Sequence, residues 1–189
     1  MNLSLTKNEL RTIYKAKRMA LSQDEVTFLS EKVLNNFILQ FNPIENQKVN
    51  VFLSIEKFNE VNTQIFIEYF FEKKIKIFTP KICKNKLISV EIFQDSEFAV
   101  NNWGITEPVS NIAADCDLDY VLTPLLYCDS LGNRVGYGKG FYDEFFFSHS
   151  KIGKKIGLNF FSPKEEIADV FEKDVKLDAL ITPNQIIDF

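Results

Sequence analysis

The sequence predicts a single α/β domain over residues 1–189. We expect a mostly parallel central sheet, helices on both faces in a three-layer arrangement, and a helical hairpin at the N-terminus. Apolar strand-like runs alternate with helical segments after residue 47, which is typical of a parallel sheet covered on both faces. Two helix-start signals precede these runs, and no repeat, linker or low-complexity segment divides the chain.

The N-terminal hairpin is predicted from two capping boxes. Residues 6–9 and 22–25 both place a hydroxyl residue three positions before a glutamate, the pattern that satisfies free backbone donors at a helix start. The first box predicts an amphipathic helix with Leu10, Ile13, Tyr14 and Lys17 on one stripe. The second predicts another helix, and Pro43 should end the pair.

The alternating elements follow in chain order. Strands are predicted at residues 48–54, 75–79, 87–93, 119–123, 154–159 and 177–182, and helices at residues 63–73 and about 140–149. Pro80 and Pro124 should each stop the strand before them, and the strand at 87–93 should be antiparallel. In such sheets ligands bind beyond the carboxyl ends of the strands, which directs attention to the segment after residue 123.

Composition limits the possible partners. Hydrophobic residues make up 46% of the chain and charged residues 25%, as in ordinary globular proteins, while the net charge of −4 argues against nucleic acid and anionic membranes as partners. Cys83, Cys116 and Cys128 lack metal-ligand spacing, so we expect reduced thiols. No secretory signal or membrane span is predicted, and no obligate protein partner is evident, so a cytoplasmic location is expected.

Residues 129–143 form the most distinctive segment of the chain. Four of the seven glycines lie within nine residues here, together with Arg134 and Lys139, and Asp143 closes the segment. Backbone N–H groups of such a loop can form a concave anion site, to which arginine and lysine add charge. The segment therefore predicts a site for a phosphate-bearing ligand. An exposed surface hairpin is the alternative interpretation.

Two common phosphate-binding motifs do not fit this segment. A Walker A loop needs serine or threonine after its lysine, whereas Gly140 follows Lys139. The spacing also differs from the dinucleotide-binding fingerprint and lies late in the chain. Residues 139–142 are weakly similar to the start of an RNA-recognition element, but the acidic chain and Asp143 disfavour an RNA-binding module.

The segment resembles the signature of the 5-formyltetrahydrofolate cyclo-ligase family. Every fixed position of D-x-x-G-x-R-[LV]-G-x-G-x-G-[FY]-Y-D is met from Asp129 to Asp143. Three further segments match in the family's order: K-x-x-L-R at residues 7–11, E-[VI]-x-T at residues 60–63 and G-I-x-E-P at residues 104–108. The resemblance covers the chain nearly end to end, although the interval between Leu53 and Glu60 is about two residues longer than in better-known members.

This resemblance implies an enzyme that cyclises 5-formyltetrahydrofolate, a small-molecule substrate, to 5,10-methenyltetrahydrofolate with ATP and Mg²⁺. ADP and phosphate would be released. Phosphorylation would turn the formyl oxygen into a leaving group, after which N10 closes the ring. Such a site works mainly by positioning and electrostatics. The alternative is a non-catalytic nucleotide- or folate-binding protein that has kept the loop.

The resemblance also implies individual site residues. For ATP they are Lys7, Arg11, Arg134, Gly136, Tyr137, Gly138, Lys139, Gly140, Phe141 and Tyr142. Arg134 and Lys139 would be catalytic. For folate they are Leu53, Glu60, Trp103, Tyr137 and Tyr142, and for Mg²⁺ they are Asp143 and Asp178. From the residues alone, Lys7 and Arg11 could be a solvated helix side, Trp103 a core residue and Asp178 a turn residue.

Overall fold

The computed structural model describes residues 3–101, 104–149 and 151–189. The α-helices are α1 (Lys7–Met19), α2 (Gln23–Phe41), α3 (Gln64–Glu72) and α4 (Phe141–Ser148), with a short 3₁₀ turn at Glu56–Phe58. The strands are β1 (Ser4–Leu5), β2 (Lys48–Val51), β3 (Lys76–Cys83), β4 (Lys86–Ile92), β5 (Phe98–Val100), β6 (Thr106–Pro108), β7 (Leu118–Pro124), β8 (Tyr127–Cys128), β9 (Arg134–Val135), β10 (Ile152–Leu158), β11 (Glu166–Ile167), β12 (Ala179–Ile181) and β13 (Ile186–Asp188).

The starts of α1 and α2 are held by the two predicted capping boxes. The Thr6 hydroxyl accepts a hydrogen bond from the Glu9 amide, and the Glu9 carboxylate accepts one from the Thr6 amide at 2.9 Å. Ser22 and Glu25 repeat this exchange at α2, so both predicted helix starts are confirmed. Across the described ranges, no helix combines the length and apolar character needed to cross a membrane.

The main sheet runs in the order β13-β12-β10-β7-β2-β3-β4. Its interior pairs β10–β12, β10–β7, β2–β7 and β2–β3 are parallel, while β4 and β13 pair antiparallel at the two edges. The predicted mostly parallel sheet and the antiparallel strand near residues 87–93 are therefore confirmed. Because β2, β7 and β10 run in one direction, their carboxyl ends meet at one edge and position the segments that follow them.

The sheet buries apolar side chains on both sides. Phe37 of α2 and Phe66 of α3 pack in one cluster with Val49 and Ile77. Phe78, the neighbour of Ile77, belongs to a second cluster that contains Phe145 and Phe146 of α4. Successive strand residues point to opposite faces, so α4 packs on the face away from α2 and α3.

The strand ends predicted before Pro80 and Pro124 are wrong, because neither proline stops the strand that contains it. β3 continues through Pro80 to Cys83, and β7 includes Pro124. β2 pairs with β3 only as far as Phe78, so Pro80 has a strand neighbour on one side, opposite Ser89 of β4. A residue without an N–H is tolerated where one side of the strand is unpaired. The final antiparallel strand β13 was not predicted.

Phe37 is the best single test of this core. It is fully buried and its ring lies within 6.1 Å of the rings of Phe41, Phe66, Phe70 and Tyr120. We expect Phe37→Ala to lower the free energy of unfolding by about 3–5 kcal/mol in urea titrations, through lost burial and a cavity. Phe147 is 89% exposed, so Phe147→Ala is the matched control. It should change the free energy of unfolding by less than about 0.5 kcal/mol.

Candidate active site

A pocket of about 580 Å³ lies beyond the carboxyl ends of the parallel strands in the main sheet. α1, the segment after β2, part of β3 and residues 134–143 line it. These parts are far apart in sequence and meet here because β2 and β7 are adjacent parallel strands. The position agrees with the general rule for ligand sites in open α/β sheets.

The glycine-rich segment divides into two structural halves. In the first half, β8 and β9 form a hairpin whose turn is held by the buried Asp129, which accepts hydrogen bonds from the amides of Leu131 and Asn133 at 2.9 Å. The second half, residues 136–140, lines the pocket. We call residues 136–140 the glycine loop. The alternative of a surface hairpin therefore describes only the first half, and in that half Asp129 is buried.

Two residues of the glycine loop have backbone conformations that favour glycine over residues with a side chain. Gly138 has φ +88°, and a Cβ there would lie 3.4 Å from the Arg11 guanidinium. Gly140 has φ +71° and precedes α4, so the loop leads directly into the amino terminus of a helix. Free N–H groups and the helix dipole favour an anion at such an end.

Arg134 is anchored beside this loop by a partly buried ion pair. Its guanidinium Nη2 lies 2.6 Å from Asp143 Oδ1, and its Nη1 donates to the Val175 carbonyl. The Val175 amide donates to the same Asp143 oxygen at 3.0 Å. Burial lowers the pKa of Arg134, and the charge of Asp143 opposes that effect. The side chain is thus held rigidly, with its charge already balanced by an acid.

Lys7 and Arg11 both reach the pocket from α1. The Lys7 ammonium pairs with the Asp174 carboxylate and lies 4.8 Å from the centre of the Phe171 ring. Arg11 Nε donates to the Gly136 carbonyl at 2.9 Å. Spacing of four residues brings both cations to one side of the helix, as the sequence predicted. The solvated-face alternative does not describe them, because both are engaged with pocket residues.

Lys139 differs from the other cations of the site. It is exposed at the pocket rim, and within the described ranges its ammonium makes no hydrogen bond or ion pair. An unpaired ammonium on a flexible side chain can bind an anionic ligand directly, because no contact within the protein has to break first. The geometry suits a mobile phosphate-binding lysine.

Glu60 contributes a buried carboxylate to the lining of the pocket. It is 4% exposed and follows Asn59, whose left-handed conformation (φ 48°) turns the chain inward. Its Oε2 accepts from the Ile55 amide at 2.8 Å, and its Oε1 accepts from the Tyr137 hydroxyl. Burial raises the pKa of Glu60, while the Tyr137 hydrogen bond and the charge of Arg18 lower it.

Tyr142 carries a polar atom without a protein partner. Its side chain lines the pocket, and its hydroxyl is buried without a hydrogen-bond partner in the described part of the chain. Burial raises the pKa of this phenol, which therefore remains a donor. A buried hydroxyl left unsatisfied is costly, so this atom lacks a partner that folded proteins usually provide. Leu53 and Phe141 also line the pocket, whereas Trp103 lies outside the described residues.

A family model describes residues 4–183 as the 5-formyltetrahydrofolate cyclo-ligase family. The chain belongs to this family. The match covers nearly the whole sequence and confirms the resemblance identified from the glycine-rich signature and the three shorter segments. It also confirms the expectation that the chain is an enzyme of the cyclo-ligase type.

Relatives of this cyclo-ligase family come from distant organisms. The chain is 27% identical over 204 residues to a probable 5-formyltetrahydrofolate cyclo-ligase of Schizosaccharomyces pombe, with 98% of each chain covered. It is 26% identical over 178 residues to the Escherichia coli K12 cyclo-ligase, covering 90% of this chain and 96% of the relative. The NMR structure of Aquifex aeolicus 5,10-methenyltetrahydrofolate synthetase superposes with a TM-score of 0.81 at 26% identity, covering 97% and 93%.

The two acids assigned to a metal by the family resemblance are separated in the structure. Asp143 lines the pocket, but Asp178 does not: its carboxylate accepts from the Lys155 amide at 2.7 Å and pairs with the Lys155 ammonium at 2.8 Å. Asp174, four residues earlier, lines the pocket instead. Over the described ranges, no cluster of three or more metal-binding side chains occurs. The metal assignment remains a prediction.

Sequence reasoning missed Asp174 in this cyclo-ligase site, and it placed Arg18 beside Lys7 and Arg11 on one side of the first helix without giving it a role. Asp174 and Asp178 are acids in one short segment, and the sequence does not say which of them faces the pocket. Arg18 did leave a signal, because it continues the buried stripe of Leu10 and Tyr14 at intervals of four residues. An arginine on the apolar side of a helix is rarely buried without a partner and could have been singled out.

Proposed function

We propose that this protein cyclises 5-formyltetrahydrofolate to 5,10-methenyltetrahydrofolate with ATP, releasing ADP and phosphate. The observation that carries the proposal is one pocket whose lining combines two unlike sets of residues. One set is the cations Lys7, Arg11, Arg134 and Lys139 with the glycine loop, and the other is the buried carboxylate of Glu60 with Tyr142. A reaction that transfers a phosphoryl group from a polyphosphate to a polar heterocycle needs both kinds of contact.

ATP would bind on the cationic side. Amides of the glycine loop and the start of α4 suit phosphate oxygens, and Gly136, Gly138 and Gly140 let the backbone approach them. Lys139 would contact the transferring phosphoryl group, with Arg134 held in place behind it by Asp143. Lys7 and Arg11 would add charge from α1. Preorganised cations stabilise the negative charge that develops during phosphoryl transfer.

The folate would bind on the acidic side. The Glu60 carboxylate can accept hydrogen bonds from the N–H donors of a pterin ring, and the Tyr142 hydroxyl can donate to one of its acceptors. Leu53 would provide an apolar wall for the ring, and Tyr137, which donates a hydrogen bond to Glu60, also lines the pocket. Trp103 would add an aromatic contact by the family resemblance.

The proposed chemistry has two steps. The formyl oxygen of the folate attacks the γ-phosphorus of ATP, the bond to the bridging oxygen breaks and ADP leaves. N10 then attacks the formyl carbon and loses its proton to the departing phosphate or to water, the carbon–oxygen bond breaks and phosphate leaves with its electron pair. Glu60 and Tyr142 would fix the folate, while Lys139 and Arg134 would stabilise the phosphoryl charge.

Two carboxylates of the pocket would hold Mg²⁺ in this proposal, together with the phosphates of ATP. Asp143 and Asp174 both line it, and each is paired with a cation, Arg134 and Lys7 respectively. Mg²⁺ commonly takes one or two carboxylates and completes its shell with phosphate oxygens and water. When bound, it would neutralise charge on the phosphates.

A comparison of three aspartates tests this metal assignment. We expect Asp143→Asn and Asp174→Asn each to raise the Mg²⁺ concentration for half-maximal turnover by about 10-fold or more, because each removes a carboxylate at the pocket. Asp178→Asn is the matched control from the same segment and should leave it unchanged. A rise confined to Asp143→Asn and Asp178→Asn would instead support the pair implied by the family resemblance.

Turnover of the purified protein tests the proposed function. Absorbance of the methenyl product is followed with ATP, Mg²⁺ and 5-formyltetrahydrofolate, and again with ATP omitted. ATP-dependent product formation is expected. Thermal stabilisation by either ligand without turnover would instead identify a non-catalytic binding protein. The proposal requires only small-molecule partners, which suits the expected cytoplasmic location.

A further inference from the structure

Arg18 is a buried cation just behind the pocket. It lies on the inner side of α1, one turn after Tyr14, and is 3% exposed. Removing a guanidinium from water is unfavourable unless opposite charge and hydrogen bonds compensate it. The contacts of Arg18 therefore indicate why a cation occupies this core position.

These contacts join three separate segments. Arg18 Nη1 donates to the Leu125 carbonyl at 3.3 Å, and Nη2 donates to the Tyr137 hydroxyl. The same Nη2 lies 4.0 Å from Glu60 Oε1, and the centre of the guanidinium lies 5.7 Å from the Tyr137 ring. Within the described residues, Arg18 Nε has no hydrogen-bond partner. The side chain is thus directed at the Tyr137–Glu60 pair rather than fully satisfied by backbone groups.

The Tyr137 hydroxyl links Arg18 to Glu60. It accepts a hydrogen bond from Arg18 and donates its own proton to Glu60 Oε1. The Ile55 amide holds the other oxygen of the carboxylate at 2.8 Å. Both oxygens are therefore fixed, one of them through a chain that begins at Arg18. The backbone next to Glu60 is also linked to α1, because Asn59 Nδ2 donates a hydrogen bond to the Arg18 carbonyl at 3.2 Å.

We propose that Arg18 is a positioning residue for folate: acting through the Tyr137 hydroxyl, it fixes the Glu60 carboxylate at the pocket and opposes its protonation. This inference rests on the proposed function. Arg18 does not line the pocket, whereas Tyr137 and Glu60 do, so its effect on a ligand passes through them. A carboxylate held in this state accepts hydrogen bonds at both oxygens, whereas a protonated acid would present a donor to the same ligand groups.

The charges around Glu60 give the expected direction of its titration. Arg18 faces it from α1, Tyr137 from the glycine loop and Tyr142 from α4, while Ile55 contributes a backbone amide. Burial raises the pKa of Glu60, and Arg18 opposes that rise. Without Arg18 the acid would take up its proton at higher pH. The acid limb of kcat/KM for folate should then shift to higher pH.

The test is a double-mutant cycle between Arg18→Met and Glu60→Gln. We expect Arg18→Met to raise the KM for 5-formyltetrahydrofolate about tenfold near neutral pH, with the KM for ATP unchanged and the acid limb shifted. Arg18→Lys should restore part of the loss. In the Glu60→Gln background, Arg18→Met should add little, because no carboxylate remains to be held. Lys17→Met, an exposed lysine on the same helix, is the control and should leave the acid limb in place.

Two results would contradict the role proposed for Arg18. Equal effects of Arg18→Met in the two backgrounds, or an unmoved acid limb, would overturn the inference. If Arg18→Met does not fold, Tyr137→Phe replaces it, because that variant removes only the linking hydroxyl, and an unmoved limb would again contradict the inference. If the wild-type protein shows no turnover, the proposed function fails. The same cycle is then measured by calorimetric binding of 5-formyltetrahydrofolate, with additivity as the contradicting result.

Discussion

Lys139→Ala should lower kcat by about 100- to 1,000-fold, the range for loss of one group that stabilises transition-state charge. The thermal midpoint should be unchanged, because the Lys139 side chain is exposed and contacts no other charged or polar group in the described ranges. Steady-state turnover and calorimetry of the same preparation measure both quantities. The expected result separates a role in catalysis from a role in folding.

Lys151→Ala is the matched control for Lys139→Ala. Lys151 is another exposed lysine, but it pairs with Asp117 at 3.4 Å and lies near the amino-terminal ends of the parallel strands, away from the pocket. An exposed pair of this kind contributes little to stability. Lys151→Ala should therefore keep full activity. Unfolding of Lys139→Ala, or equal losses of activity in the two variants, would show that the proposed catalytic contact is wrong.

Arg134→Met should abolish turnover and also destabilise the protein by about 3 kcal/mol, the low end for a broken buried pair. The low end applies because Asp143 is 32% exposed and keeps some solvation after its partner is removed, whereas the Arg134 side chain is only 7% exposed. The Val175 carbonyl also loses its donor. Urea unfolding measures the free-energy change. The two cations of one segment should thus behave differently, since Lys139→Ala affects activity alone.

A second substitution separates the causes of the Arg134 effect. If the destabilisation comes from the unpaired Asp143 carboxylate, Arg134→Met combined with Asp143→Asn should recover much of the lost stability without recovering activity. The Asp143→Asn variant alone provides the reference. Wild-type stability of Arg134→Met would contradict the structural role of this ion pair.

Local signals explain which parts of the fold the sequence could predict. The Thr6 and Ser22 capping boxes lie within four residues, so the sequence contained everything needed to place the starts of α1 and α2. The parallel sheet followed from alternation along the chain. The continuation of β3 through Pro80 could not be predicted in this way, because it depends on β2 having ended next to β3, which is a property of the assembled sheet.

The candidate site shows the same division. Four of the seven glycines lie close together in the sequence with Arg134 and Lys139, and this clustering alone predicted a phosphate ligand. Folate entered only through the family resemblance. Arg18, Tyr137 and Glu60 come from three distant segments, and their hydrogen-bonded chain exists only after folding. The choice between Asp174 and Asp178 likewise depends on the direction of a turn that follows no strong local rule.

In the proposed reaction, ATP on the glycine loop and 5-formyltetrahydrofolate at Glu60 and Tyr142 meet in one pocket. The stoichiometry of a single turnover tests this arrangement, with ADP and methenyl product measured in the same quenched samples. Equal amounts of the two products are expected, formed together and only when both substrates are present. Product formation without ADP, or ADP release that is independent of 5-formyltetrahydrofolate, would contradict it.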